Sequence, residues 1–284
     1  MGQQGSRGDC PRITDEAVDS GLSPKMEKDK VVAIVPAAGL GKRFGEEKNK
    51  PFYPIKDKPL LVWTLEKLQE SDEITEIIPV MKEEDLITCG DLVEKYNITK
   101  VKRIAPGGKE RQDSVYNGIK ALGSKTSIVA IHDGARPFID MDLIKRTIAG
   151  LKGYDGAVAA VPVKDTIKEA HSRGDCPGIT GEKGLSLFTD EAQRSRRIGT
   201  VPDYMVKKTL NRNVLWAVQT PQVFHFNKIK EAYEKAFADK YYATDDAALI
   251  EHYGGKVKIV MGSYRNIKIT TPEDILIAEA LLKI

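Results

Sequence analysis

The sequence predicts a doubly wound α/β fold with a mostly parallel sheet, and three observations support that prediction. Short apolar runs rich in β-branched residues, such as residues 31–35, are typical of strands buried on both faces of a parallel sheet. These runs alternate along the chain with stretches whose apolar residues recur every three or four positions, as in amphipathic helices. A length of 284 residues is sufficient for one large domain of this class.

Composition places the chain among ordinary globular proteins, with 41% hydrophobic and 30% charged residues. The net charge of +3 is small, so it gives no reason to expect a nucleic-acid partner. No apolar run has the length that a bilayer-crossing helix needs, so no membrane partner is expected. Cys10, Cys89 and Cys176 lack the spacing of a metal site or disulfide framework, which favours a reduced, cytoplasmic protein.

Domain organisation is simple. Residues 1–29 are rich in Gly, Asp, Ser and Lys and show no apolar periodicity, so we predict a disordered tail. A single domain is then expected over residues 30–284, with an irregular segment at about 164–213.

The first strand, residues 31–35, ends in a turn built from small residues. Glycines let the backbone turn sharply and lie close to a ligand, and cations beside bare N–H groups suit a polyphosphate. The residues of this pattern are Pro36, Ala37, Ala38, Gly39 and Gly41, followed by the cations Arg43 and Lys50.

A Rossmann dinucleotide site is the first alternative, because Gly39, Gly41 and Gly45 resemble a relaxed G-x-G-x-x-G. In that site a helix begins inside the glycine run. Pro51 and Pro54 follow closely, and a helix interior tolerates neither. Residues 44–57 are therefore predicted to form a long loop around the ligand.

The remaining elements follow in chain order from apolar periodicity and from capping or turn residues. We predict further strands at residues 76–81, 101–105, 127–131, 156–163, 256–261 and 266–270. Helices are expected at 60–68, 83–96, 112–122, 140–151, 226–237, 245–253 and from 272 onward. Asp140 and Thr244 are expected to cap helices and 220–222 to form a turn. The last helix should bury Ile275, Leu276, Ala278 and Leu281.

Polar residues follow two of the predicted strands, at the edge where open α/β sheets bind ligands. Asp133 is placed to meet a ribose hydroxyl or Mg²⁺, while His132 is predicted to be a packed, hydrogen-bonded residue. Arg136 suits either a phosphate or a carboxylate that pins its loop. Ser114 follows the turn at Gly107-Gly108, where it suits either a simple helix cap or a ligand contact. These features together predict a Rossmann-like nucleotide-binding topology.

Several of these motifs resemble those of the sugar-phosphate nucleotidylyltransferases, and within that group the chain is similar to the 2-C-methyl-D-erythritol 4-phosphate cytidylyltransferase family of isoprenoid biosynthesis. The resemblance covers about residues 31–170 and 209–284. Its motifs lie, in family order, at residues 36–43, 50–51, 107–114, 132–137, 163–166, 219–222, 244–246 and 266–270.

The resemblance implies transfer of CMP from CTP to 2-C-methyl-D-erythritol 4-phosphate with release of pyrophosphate, mainly by positioning and charge neutralisation. It implies catalytic roles for Arg43 and Lys50 on the CTP phosphates, and for Arg212 and Lys268 on the acceptor phosphate. Nucleotide contacts would come from Pro36, Ala37, Ala38, Gly39, Gly41, Gly107, Gly108 and Ser114. Acceptor contacts would come from Asp133, Gly134, Ala135, Arg136, Thr166, Thr220 and Thr244. Mg²⁺ or another divalent cation would be held mainly by CTP phosphates, and no protein ligand is assigned to it.

The family also implies a protruding arm near residues 164–213 that joins two subunits into a homodimer. Here the segment is roughly 35–40 residues longer, which indicates an insertion. Residues 172–180 within it repeat residues 6–14 at eight of nine positions. We expect this repeat to have no part in catalysis.

Three alternative functions remain open from the sequence. A cytidylyltransferase for ribitol or glycerol phosphate would differ only in a few acceptor contacts. A uridylyl- or adenylyltransferase would differ in the base that it accepts. An inactive nucleotide-binding scaffold is the alternative from another functional class.

Overall fold

The computed structural model of the chain describes residues 29–39, 50–172 and 204–283. Gly41 and Arg43, the tail predicted for residues 1–29 apart from Asp29, and the repeated segments apart from Ser172 lie outside the described residues.

Eleven strands and seven α-helices make up the described part of the chain. The strands are β1 Val31–Pro36, β2 Pro54–Ile55, β3 Lys58–Pro59, β4 Ile74–Met81, β5 Ala105–Pro106, β6 Ile128–Ile131, β7 Gly156–Pro162, β8 Lys168–Ser172, β9 Tyr204–Thr209, β10 Trp216–His225 and β11 Val257–Met261. The helices are α1 Leu60–Glu70, α2 Leu86–Lys95, α3 Arg111–Lys120, α4 Met141–Gly150, α5 Phe226–Ala238, α6 Asp246–His252 and α7 Pro272–Leu281. Short 3₁₀ helices occur at Lys50–Phe52, Glu83–Asp85 and Arg212–Val214.

Seven strands form the central sheet in the order β11-β7-β10-β6-β1-β4-β5. Strand β10 is antiparallel to β6 and β7, and the other neighbours are parallel. The predicted doubly wound, mostly parallel α/β fold is confirmed. Its parallel strands β1, β4, β5 and β6 all end at one edge, where the pocket described below lies.

Strand β1 shows why its apolar run is unbroken. Val31, Ala33 and Val35 point into a core cluster shared with α1, α2 and α4. Val32 and Ile34 point into the opposite cluster, shared with α3, α5 and α6. All five are almost completely buried, as expected for a central strand covered by helices on both faces.

Two predicted strands are wrong. Of residues 101–105, only Ala105 joins the sheet as part of β5, and Val101 makes a single bridge to Ile77. Residues 266–270 form no strand, and the Ile269 N–H instead donates to Ala135 O over 2.9 Å. Both segments lie outside the sheet interior, where β-rich composition alone does not produce pairing.

Residues 220–222 were expected to turn, but they lie inside the ten-residue strand β10. The register with β7 shifts between Val218 and Gln222, so the chain accommodates Pro221 at an irregularity of the strand. A proline at such a bulge need not end pairing.

Two expectations about the helices near the C-terminus are also wrong. Asp245, not Thr244, caps α6, because its carboxylate accepts from the Ala248 N–H over 3.0 Å. Leu276 in α7 is 70% exposed, whereas Ile275 and Ala278 are buried as predicted. Asp140 caps α4 as expected, by accepting from the Leu143 N–H.

The described part of the irregular segment is an antiparallel two-stranded sheet. β8 pairs with β9 from Lys168–Thr209 to Ser172–Tyr204. Every side chain of β9 is exposed, including Tyr204, Met205 and Val206. This pair is the described part of the predicted arm. None of the described helices combines the length and apolar character needed to cross a bilayer.

Candidate active site

A pocket of about 520 Å³ lies at the carboxyl edge of the sheet, next to the ends of β1 and β6. It brings together eleven of the residues predicted from the sequence. These are Pro36, Ala37, Ala38, Gly39, Lys50, Gly108, Ser114, Asp133, Gly134, Ala135 and Lys268. Its size is that of a small-molecule site.

The pocket floor depends on small residues because three loops pack closely there. A β-carbon placed on Gly107 would come within 2.5 Å of Ala38 Cβ, which is closer than such atoms approach. One on Gly134 would come within 3.1 Å of Ala37 Cβ. Small side chains at these four positions therefore allow the loops after β1, β5 and β6 to converge on one cavity.

Ser114 holds the glycine turn against the start of α3. Its Oγ accepts from the Gly108 N–H over 3.0 Å and donates to Glu110 O over 3.1 Å. The Gly107 N–H donates to Met81 O over 2.6 Å. Both glycine N–H groups are thus engaged within the chain, so the carbonyl oxygens of this turn are the backbone groups left to read a ligand.

Asp133 is the centre of the charged cluster in the pocket. Its Oδ2 lies 2.8 Å from Lys268 Nζ and 3.5 Å from Arg136 Nε, and its Oδ1 lies 3.5 Å from Arg111 Nη2. Although burial opposes ionisation, Arg111 and Lys268 outweigh it and hold the pKa of Asp133 well below its usual range. Asp133 is therefore a permanent anion that orients cations around the pocket.

A chain of hydrogen bonds through Thr220 and His132 holds Asp133 in place. The Asp133 N–H donates to Thr220 Oγ1 over 3.0 Å. His132 Nε2 lies 3.1 Å from Arg136 O, a carbonyl that can only accept, so the imidazole proton belongs on Nε2. The Thr220 hydroxyl then donates to His132 Nδ1. The predicted packed role of His132 is confirmed, and burial lowers its pKa to about 4.

His132 gives the fold a calculable pH dependence. In the unfolded chain it takes up a proton near pH 6.5, but in the folded chain only near pH 4, so the fold loses stability as pH falls between these values. From pH 7 to pH 5 the loss is about 2 kcal/mol, at 1.36 kcal/mol per pH unit. In His132→Gln an amide N–H replaces the imidazole donor and cannot take up a proton in this pH range. We expect the free energy of unfolding of this variant to fall by about 2 kcal/mol less over that interval. Urea unfolding at both pH values measures this, and equal losses in the two proteins would contradict it.

Arg111 is a pocket residue that the site predictions missed. Its Nη2 lies 2.8 Å from Asp246 Oδ2, and the Tyr233 hydroxyl donates to Asp246 Oδ1. Burial lowers the pKa of Arg111, but Asp246 and Asp133 raise it by more. A cation in the first turn of a helix opposes the helix dipole. A positive charge near the start of a helix, three residues after Gly108, was the sequence feature that could have indicated a special role.

The charges of the pocket favour an anionic ligand. Among the residues that the structure describes, the lining contains the cations Lys50, Lys109, Arg111 and Lys268 and two carboxylates, Glu110 and Asp133. Asp133 is already paired with three cations, counting Arg136. The described side chains that line the cavity therefore carry a net positive charge, which suits phosphates.

Six of the predicted site residues that the structure describes are not part of the pocket lining. Arg136 and Thr220 are buried beneath it, where Arg136 Nη1 donates to Asn266 O over 2.7 Å. Thr166 and Thr244 are exposed. Arg212 is exposed near the base of β9, where its Nη1 donates to Lys164 O over 3.0 Å. Gly107 supports the lining through Ala38 and Ser114.

The side chains of the pocket indicate how the expected divalent cation could be bound. Among residues 29–39, 50–172 and 204–283, no group of three or more His, Cys, Asp or Glu side chains could hold a metal ion. The pocket carboxylates are Asp133, held by cations, and Glu110. These residues fit a Mg²⁺ ion whose oxygen ligands come mainly from a triphosphate.

Comparison with known proteins finds one family along the chain. The model of the family described as 2-C-methyl-D-erythritol 4-phosphate cytidylyltransferase matches residues 31–187 and 195–284. A protein of that name from Syntrophus aciditrophicus (strain SB) is 43% identical over 257 residues, which cover 90% of this chain and 97% of the relative. One from Clostridium botulinum (strain Okra / Type B1) is 41% identical over 258 residues, covering 91% and 99%.

Comparison with solved structures identifies the same family. A solved structure of 4-diphosphocytidyl-2C-methyl-D-erythritol synthase from Anaerococcus prevotii DSM 20548 has a TM-score of 0.70 and 32% sequence identity to this chain. The match covers 90% of this chain and 97% of that one.

Proposed function

Because the chain belongs to the 2-C-methyl-D-erythritol 4-phosphate cytidylyltransferase family, we propose that the pocket at the carboxyl edge of its sheet is the site of that reaction. The enzyme transfers CMP from CTP to 2-C-methyl-D-erythritol 4-phosphate, which produces the CDP-linked alcohol and pyrophosphate. One observation supports this location above the others. Four pocket cations and three glycine- or alanine-lined loops surround one cavity of about 520 Å³.

The chemistry requires two anions to approach each other. A phosphate oxygen of the acceptor forms a bond to the α-phosphorus of CTP, while the bond from that phosphorus to the bridging oxygen breaks and pyrophosphate leaves. No covalent enzyme intermediate is needed. The enzyme therefore acts by holding both phosphates in line and stabilising the charge that develops.

We propose separate tasks for two lysines. Lys50, at the start of the 3₁₀ helix Lys50–Phe52, would stabilise the triphosphate and the leaving pyrophosphate, together with Arg43. Lys268, held by Asp133, would bind the acceptor phosphate. The peptide groups at Ala37, Ala38, Gly39 and Gly108, with Gly107 and Ser114 beneath them, would form the surface that reads the cytosine and ribose.

We also propose that a divalent cation binds together with CTP. When bound, Mg²⁺ neutralises part of the triphosphate charge. Among the described residues, Asp133 and Glu110 are the carboxylates of the pocket lining, and they would be the protein groups available to such a complex.

The test is release of pyrophosphate by the purified protein. We expect release with CTP and 2-C-methyl-D-erythritol 4-phosphate, and much slower release with UTP or ATP, or with ribitol or glycerol phosphate. Faster turnover with another acceptor or base would replace the substrate assignment. No release with any pair would support the inactive-scaffold alternative.

We also propose that the arm forms a homodimer and that Arg212 acts on the acceptor phosphate in that assembly. In support, β9 exposes Tyr204, Met205 and Val206, with 47–61% of each residue open to solvent. Tyr204 and Val206 are two positions apart in the strand and therefore lie on one face of it, and exposed apolar side chains on one face are typical of interfaces. A particle of twice the chain's mass in light scattering is the expected result. A cytoplasmic location stays a prediction.

Arg212→Ala is expected to raise the KM for the acceptor about tenfold, as for the loss of one charge-assisted hydrogen bond, with little change in the KM for CTP. Steady-state kinetics with each substrate varied in turn measure this. Lys207→Ala, which removes an exposed cation of the same arm, is the control. A change confined to CTP would contradict the assignment.

A further inference from the structure

Asp246 lies outside the pocket yet is tied to it by an ion pair. Only 1% of the residue is exposed, at the first turn of α6. Its Oδ2 accepts from Arg111 Nη2 over 2.8 Å, and its Oδ1 accepts from the Tyr233 hydroxyl of α5. Both carboxylate oxygens are therefore used to hold side chains from two other helices.

An ion pair between a fully buried carboxylate and a guanidinium that is one-third exposed is weak evidence for a role in stability. The cost of removing two charges from water is commonly as large as their attraction, and apolar replacements are often neutral or stabilising. Tyr233 is also fully enclosed, and burial together with Asp246 raises the pKa of its hydroxyl, so it stays a donor. What the arrangement does provide is one fixed position for the Arg111 guanidinium at the pocket wall.

The position of the Arg111 guanidinium matters because Arg111 and Lys268 both contact Asp133. Arg111 Nη2 lies 2.8 Å from Asp246 but 3.5 Å from Asp133, so its main partner is Asp246. Asp133 is thereby left to bind Lys268 at 2.8 Å. Without the charge of Asp246, the attraction of Arg111 to Asp133 has no competitor, and Arg111 would move onto the carboxylate that holds Lys268.

We propose that Asp246 and Tyr233 are positioning residues for the transfer reaction: they hold Arg111 away from Asp133, so that Asp133 keeps Lys268 directed at the acceptor phosphate. This inference rests on the proposed function. It extends that function to two buried residues on α5 and α6, two helices that contribute no residue to the described pocket lining.

Asp246→Asn tests the proposal by removing the charge while keeping the shape. We expect kcat to fall about tenfold, as for one lost charge-assisted contact, with the KM for CTP changed less than about threefold. Asp245→Asn is the matched control. It removes the neighbouring carboxylate, which bonds Gln222 and Ala248 rather than Arg111, and asparagine caps a helix equally well. Its kcat should stay within about twofold of the unchanged protein.

A double-variant cycle separates positioning from folding. If Asp246 acts through Arg111, Asp246→Asn added to Arg111→Gln should lower kcat no further than Arg111→Gln alone. Independent, additive losses would overturn the proposal, as would an unchanged kcat in folded Asp246→Asn.

Should Asp246→Asn fail to fold by circular dichroism, Tyr233→Phe carries the same test, because it removes only one hydroxyl. A two- to fivefold fall in kcat that disappears in the Arg111→Gln background is then expected, and an unchanged kcat overturns the proposal. Pyrophosphate release by the unchanged protein is measured alongside. Its absence would contradict the proposed function itself, whereas activity with additive variants contradicts only the positioning role.

Discussion

Lys50→Ala is expected to lower kcat at least ~100-fold, as for the loss of a charge aimed at the transition state. Lys50 begins the short 3₁₀ helix Lys50–Phe52 and lines the pocket on the side where β1 ends. Charge builds up on the leaving pyrophosphate as its bond to the α-phosphorus breaks. A fixed cation there stabilises the transition state more than bound CTP, so the effect should fall mainly on kcat.

Steady-state kinetics with CTP and 2-C-methyl-D-erythritol 4-phosphate measure the Lys50 effect. Lys152→Ala is the matched control, because Lys152 is an exposed lysine in the turn after α4 and does not line the pocket. Its kinetic constants should not change. A modest rise in KM with unchanged kcat for Lys50→Ala would refute the catalytic role and leave Lys50 as a general binding group.

Lys268→Ala is the second variant with a large expected effect, a fall of at least ~100-fold in kcat/KM for the acceptor. Lys268 is held 2.8 Å from Asp133 and, at 39% side-chain exposure, can still reach a ligand. Its removal deletes the proposed phosphate cation and leaves Asp133, a buried anion, with one partner fewer. Both changes weaken the binding of a second anion in the pocket.

Varying the acceptor at saturating CTP isolates the Lys268 effect. Lys268→Arg keeps the charge but not the geometry, so we expect it to recover part of the loss. A loss in Lys268→Ala that appears only in the KM for CTP would show that the lysine serves the nucleotide and not the acceptor.

Much of the fold was predictable because burial leaves a local pattern. Val31–Pro36 is apolar at every position since helices cover both sides of β1, and that pattern needs no knowledge of distant residues. The failures lie where pairing depends on partners far along the chain. Pro221 suggested a turn, but β6 and β7 hold β10 in the sheet on both sides of it.

Prediction of the site was limited in the same way, because some of its residues are positioned by partners far along the chain. Asp133 and Gly108 were predictable because the carboxyl ends of parallel strands meet at one edge, whereas Gly134 was implied by the family resemblance. Arg111 was missed because its position depends on Asp246, which lies 135 residues further along the chain. Arg212, which the resemblance implied, lies beside Lys164 and outside the lining of this pocket. The charge of Arg111 near the start of α3 could have indicated a special role, but the partners of both arginines lie too far along the chain for local sequence to reveal them.

A crystal structure of the protein with CTP and Mg²⁺ tests the central claim most directly. We expect the cytosine to lie against the loops at Ala38 and Gly108, the triphosphate to lie beside Lys50, and Lys268 to face the α-phosphorus from the opposite side. CTP bound elsewhere on the protein, or with Lys50 and Lys268 both remote from its phosphates, would contradict the assignment of this pocket as the active site.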